Sequence, residues 1–163
     1  MKGDIIYVIR KPLGLKSFDN RRNNKSTVLD ELLARICYYK HYGIEVEDGY
    51  VIHFICDSIL EQKNGCIRKA SLSDFQKDGV IEIDHTVPYK FNKEQVVQRA
   101  YEQLNTSFGG YHIRNNNCEH FASWCVSDVK DSKQALNIKN LRTQLMLYPK
   151  LAKNKLLDFI AII

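Results

Sequence analysis

The sequence predicts an α+β domain in which an antiparallel sheet packs against helices, one of them opening on a cysteine. Three observations carry that expectation. Asp48-Gly49 separates two alternating apolar stretches, a strong hairpin signal. Asn92 precedes a run with helical spacing, as an N-cap does. Cys118 heads another such run, Phe121, Ala122, Trp124, Cys125 and Val126, shortly after the turn-forming pair Gly109-Gly110.

The elements follow in order. Residues 4–10 (Asp4 to Arg10) read as a buried strand, because Ile5, Ile6, Tyr7, Val8 and Ile9 form a continuous apolar run. Residues 11–27 are polar and turn-rich. Ser26 or Thr27 then caps a short helix over Val28 to Ile36, with Leu29, Leu32, Leu33 and Ile36 on one side. The hairpin comes next, with its second strand over residues 50–56. The polar segment Glu61 to Gly65 turns the chain into a short strand near residues 66–68. Ser71 caps a short helix to Gln76, and residues 80–84 form another strand. Asn92 opens a helix with Val96, Val97, Ala100, Tyr101 and Leu104 on its inner side. The last stretch, Leu141 to Ile163, is apolar with interspersed lysines and is broken by Pro149. No internal repeat or low-complexity tract is present.

Cys118 is the candidate nucleophile. At a helix N-terminus, unpaired N–H groups and the positive end of the dipole converge on the side chain. They favour the thiolate, whose pKa can fall there from about 8.5 to roughly 3.5–7.5. A nucleophilic thiol needs a base, and the hairpin carries two histidines. Strand alternation puts His41, Gly43 and Glu45 on one face, and Val51, His53 and Ile55 on one face of the second strand. One imidazole taking the thiol proton, held by a second polar group, is the Cys-His form of triad chemistry.

Other polar residues near Cys118 have simpler roles. Asn117 suits the N-cap. Glu119, in the first helical turn, complements the dipole. His120 lies about 200° around a helix from Cys118 and is expected to satisfy local backbone or pack beneath the hairpin. Cys37, Cys56, Cys66 and Cys125 read as small buried residues. Cys118-x-His120-x4-Cys125 does not match the paired spacing of structural zinc, so no metal and no cofactor is expected.

Composition narrows the class without naming it. The 163 residues suit one domain, and 44% hydrophobic content is ordinary for a globular core. A net charge of +5 suits anionic headgroups or nucleic acid and proves neither. No nucleic-acid module is recognisable, and the Lys and Arg clusters are scattered. Five cysteines without framework spacing point to a reducing compartment. The start, Met1-Lys2-Gly3-Asp4, runs directly into a strand, so no signal peptide is expected. The closing apolar run is shorter than the roughly 20 residues that cross a bilayer. It suits an interfacial segment with snorkelling lysines, or a terminal helix packed on the core.

The segments HYGIEVEDGYVIHF (41–54) and NNNCEHFASWC (115–125) resemble the lecithin:retinol acyltransferase (LRAT) family, in particular its smaller HRAS-like suppressor phospholipase/acyltransferase branch. Gly3 to Val8, Ile67 to Ala70 and the helix Lys93 to Leu104 resemble further elements, so the likeness spans most of residues 3–128. It implies a circularly permuted papain-like domain related to NlpC-type hydrolases, in which the histidines precede the cysteine. It further implies Cys118 as nucleophile, His41 as general base and His53 as the orienting third residue. The activity it implies is attack on a phospholipid ester to give an acyl-thioester, which water, an amine or an alcohol then takes.

Two segments depart from the small members. The insert 11–36 lengthens the path to His41; a lid, a protein-partner surface and a passive elaboration all remain open. The family's small members carry a C-terminal hydrophobic anchor; the apolar tail here is expected to be the beginning of one, either all that the protein carries or followed by more chain beyond Ile163. The domain division expected is therefore a catalytic domain over 1–130 and a helical, membrane-interacting tail over 131–163. The resemblance places the protein in the cytoplasm at membrane surfaces, with phospholipid as substrate and no nucleic acid. Two other readings stay open: a permuted papain-like peptidase or amidase, and a non-catalytic interaction module.

Overall fold

A computed structural model describes residues 2–10, 39–56 and 64–147. Outside them lie the expected helix Val28 to Ile36 with the rest of the insert, Cys37, most of the Glu61 to Gly65 turn, and the tail from residue 148 onward. The architecture is α+β: a five-stranded antiparallel sheet packed against helices. The strands are β1 (Ile5–Arg10), β2 (Tyr39–Glu47), β3 (Tyr50–Ile55), β4 (Cys66–Ser71) and β5 (Ile81–Ile83), in the order β4-β3-β2-β1-β5. The helices are α1 (Leu72–Gln76), α2 (Lys93–Glu102), α3 (Cys118–Ser127) and α4 (Lys133–Leu147).

Both faces of the sheet are covered, which explains the unbroken apolar run of β1. Ile5 and Tyr7 join Tyr42, Ile44, Ile52 and Phe54 on the face covered by α2 and α3. Ile6 and Val8 join Val51 on the opposite face, around Phe75 of α1. The α2 and α3 face holds the main core, where Val96 and Ala100 meet Phe121, Ala122 and Cys125.

Local signals set the boundaries. Asn92 caps α2 with a full capping box, its side chain accepting from Gln95 N–H while the Gln95 side chain accepts from Asn92 N–H. Ser71 caps α1 by accepting from Asp74 N–H. Gly49 turns the hairpin at φ +83°, a conformation that favours glycine. Two expectations are corrected. The strand near 66–68 runs to Ser71, because all six of its residues pair with β3. Tyr101 is not an inner residue: it is 37% exposed, and its hydroxyl donates to Glu47 on the hairpin.

Candidate active site

The two histidines meet because of the hairpin register. Gly43 lies opposite His53, so His41 and His53 are diagonal neighbours on the face that contains Val8, the partner of His41 across β1. A residue with a side chain at position 43 would fill the space between. A Cβ there would lie 2.5 Å from Val51 Cγ2 and 3.2 Å from Phe75 Cε2. With glycine, Nε2 of His41 and Nδ1 of His53 approach to 2.7 Å and share one proton between them. Phe75 closes over both rings at 5.2 and 5.4 Å between centroids.

That closure leaves His41 6% and His53 7% exposed. Burial disfavours the charged imidazolium and holds both below the ordinary histidine range, His41 far below it and His53 at about 4. The Arg10 and Lys77 cations push both the same way; His41 also feels His53, and His53 feels Arg68. At neutral pH the pair is therefore two neutral rings.

Cys118 is the first residue of α3. Asn117 caps the helix through its side-chain oxygen, which accepts from Glu119 N–H at 2.9 Å and His120 N–H at 3.3 Å. His120 Nδ1 accepts from Asn117 N–H at 3.1 Å, so this imidazole serves the cap. The thiol is 3% exposed. Its S–H donates to the carbonyl oxygen of Lys40 at 3.9 Å. The N–H of Tyr42 faces it from two residues further along β2. The residue between those two groups is His41, so the sulfur lies against the backbone of the position that carries the imidazole.

The state of the thiol differs from the sequence expectation. Burial pushes Cys118 up to about 12. The N–H groups of Tyr42, Glu119 and Cys118 itself favour the thiolate, yet they offset only part of the dehydration, and the Glu119 carboxylate adds to the rise. The hydroxyls of Tyr39 and Tyr111, held protonated chiefly by burial, lie near enough to Cys118 that a thiolate there would raise them further. Cys125 is fully buried on α3, and its thiol is held protonated by burial. Among the described residues, no three His, Cys, Asp or Glu side chains are grouped to hold a metal ion.

Four contributors had no sequence signal as site residues. Phe75 reaches the histidines from a five-residue helix. Tyr39 and Tyr111 come from β2 and from the loop before α3. Glu119 was expected to serve its own helix; its carboxylate instead caps α4, accepting from Ser132 Oγ at 2.6 Å, Gln134 N–H at 3.1 Å and Lys133 N–H at 3.2 Å. The tail segment thus begins in contact with the residue after Cys118.

The sequence model of the family described as lecithin retinol acyltransferase matches residues 24–131, well over half of the chain. The match includes both histidines, Cys118 and all three elements that position them. No curated protein matches the chain.

Proposed function

The chain belongs to the lecithin retinol acyltransferase family, and we propose that it is a thiol-dependent phospholipid acyl hydrolase and acyltransferase with Cys118, His41 and His53 as its reacting groups. Family membership points to an acyltransferase enzyme; the thioester route and the lipid substrate are the proposal. One observation carries it. A buried, neutral histidine pair is joined by a 2.7 Å bond, and one of its members, His41, stands on the strand whose backbone receives the thiol of an N-terminal helical cysteine.

In the proposed reaction His53 accepts the Nε2–H of His41, leaving the Nδ1 lone pair of His41 free. As the ester binds, the S–H turns from the Lys40 carbonyl and its proton passes to that nitrogen. Sulfur bonds to the acyl carbon. The oxyanion takes the N–H of Cys118, and the N–H of Tyr42, already facing the sulfur, is the second donor; each such donor contributes on the order of 3 kcal/mol. Collapse breaks the C–O bond, and His41 returns the proton to the leaving alcohol. Water, an amine or an alcohol then attacks the thioester with His41 again as base, releasing a fatty acid or an acylated acceptor. The reaction needs no metal or cofactor. The protein would act in the cytoplasm as a peripheral protein at membrane surfaces, through its basic charge and C-terminal tail, with insert 11–36 open to a protein partner. Among the described residues, no helix is long and apolar enough to cross a membrane.

A non-catalytic role draws on one observation, the thiol held protonated by burial. Cys118→Ser with acyl-labelled phosphatidylcholine decides between the readings. Loss of fatty-acid release, with a labelled acyl group recovered on Cys118 of the wild type, is the expected result. Equal release by both proteins ends the proposal.

A further inference from the structure

We propose that Gln134, in the first turn of α4, is a positioning residue that holds the Lys40 peptide and so fixes the thiol against the strand of His41. The inference rests on the reading of Cys118 and His41 as the reacting pair.

Lys40 lies opposite Ile9 of β1 but has no ladder partner on the β3 side. Successive residues of a strand direct their N–H and C=O groups to alternate sides. Glu45 bonds on the β1 side, donating to Asp4 O and accepting from Gly3 N–H. By that parity Lys40 and Tyr42 point the other way, toward β3. Yet the ladder between β2 and β3 starts only at Gly43 opposite His53. The carboxamide of Gln134 takes the vacant place. Lys40 N–H donates to Oε1 at 2.7 Å, and Nε2 donates to Lys40 O at 3.0 Å. One side chain thus pairs both backbone groups of Lys40, as a strand residue would.

The same Lys40 oxygen accepts the S–H of Cys118. A carboxamide and the thiol therefore share one acceptor, and the next residue is His41. The backbone of Gln134 is fixed in turn, because its N–H donates to the buried carboxylate of Glu119, the residue after Cys118. Ser132 ties the same turn, donating to Glu119 and accepting from Ala135 N–H at 3.0 Å. Gln134 thus spans the two halves of the pair, its main chain bonded to the residue after Cys118 and its side chain to the backbone of the residue before His41. A peptide released at Lys40 shifts the acceptor of the sulfur and the Cα of His41 together. Displacements of about 1 Å at a reacting pair can lower turnover by up to about a hundredfold.

The test uses the full chain, a short-chain soluble ester, and the variants Gln134→Ala, Gln134→Glu and Cys118→Ser. The positioning role expects kcat to fall about tenfold or more in Gln134→Ala with KM within about twofold, and iodoacetamide labelling of Cys118 to change rate by about threefold or more. An ionised Glu keeps an acceptor for Lys40 N–H but cannot donate to Lys40 O; a protonated one can. Relative to wild type at each pH, Gln134→Glu should therefore recover over Gln134→Ala as pH falls through the carboxyl range. A purely structural role predicts no such recovery. Wild-type kcat and labelling in Gln134→Ala overturn the inference. So does a loss that tracks the melting temperature and is equal in both variants at every pH. Cys118→Ser separates the two claims. If it is inactive while Gln134→Ala is normal, the positioning role alone falls. If it turns over normally, the reacting pair is wrong.

Discussion

The neutral histidine pair makes a quantitative demand on stability. His53 has an ordinary value of 6.5 and is held at about 4 in the fold, chiefly by burial. A difference of that size corresponds to about 3 kcal/mol. The direction follows from linkage. Between these values the unfolded chain binds a proton at this site and the folded chain does not, so stability rises with pH across the window. The contribution is fully present above about pH 6.5 and lost as pH falls through about 4. His41, lowered in the same sense by deeper burial, steepens the same window.

The perturbation is His53→Gln, which keeps a polar group near His41 Nε2 and removes the titration. Urea unfolding is measured for both proteins at intervals from pH 7.5 to 4. Carboxylates titrate in both, so the informative quantity is the difference curve. The wild type should lose about 3 kcal/mol more than the variant over this range, with most of the divergence below pH 6. Proton NMR titration of the wild-type imidazoles should show no protonation of either hairpin ring down to about pH 5. Parallel stability curves, or a hairpin histidine titrating near 6.5, would refute the claim that closure by Phe75 keeps the pair neutral.

Two further outcomes follow from the same packing. Phe75→Ala removes a fully buried ring that touches both imidazoles and completes the second core; unfolding free energy should fall by about 3–5 kcal/mol, and the hairpin histidines should titrate closer to 6.5. Asn117→Ala removes the acceptor for two N–H groups at the head of α3; it should cost about 1 kcal/mol in urea unfolding and lower turnover further than that cost explains, because Cys118 is the next residue.

The parts of the site that follow short-range rules were legible in the sequence. Asp48-Gly49 sets the hairpin, alternation puts His41 and His53 on one face, and Asn117 starts the helix that presents Cys118. The unread parts are contacts between segments distant in the chain. Nothing near Gln134 announces that its side chain will pair with a peptide 94 residues earlier. Phe75 belongs to a helix too short for periodicity to show its buried side. Tyr101 was misassigned because apolar spacing cannot tell a core phenol from one whose hydroxyl reaches a surface carboxylate. The need for Gly43 becomes visible only once Phe75 and Val51 are known to meet there.

The ionisation of Cys118 shows why a local rule lost to a global one. A helix N-terminus favours an anion by up to about 2 kcal/mol in partly buried sites. Here the thiol rises from 9.0 to about 12 despite that help and despite three backbone donors, a net cost to the thiolate of about 4 kcal/mol. Dehydration therefore exceeds the dipole. The imidazoles move the opposite way for the same reason, since burial penalises whichever form is charged. The two shifts together disfavour a resting thiolate–imidazolium pair and keep thiol and imidazoles neutral, with the S–H parked on the Lys40 carbonyl. In the proposed reaction a neutral pair makes the proton transfer part of the attack, so charge would appear only with an acyl carbon in place to accept the sulfur. It also leaves the thiol slow toward simple alkylating agents, and the proposed reaction predicts that the reactivity of Cys118 rises when an acyl analogue is bound beside it.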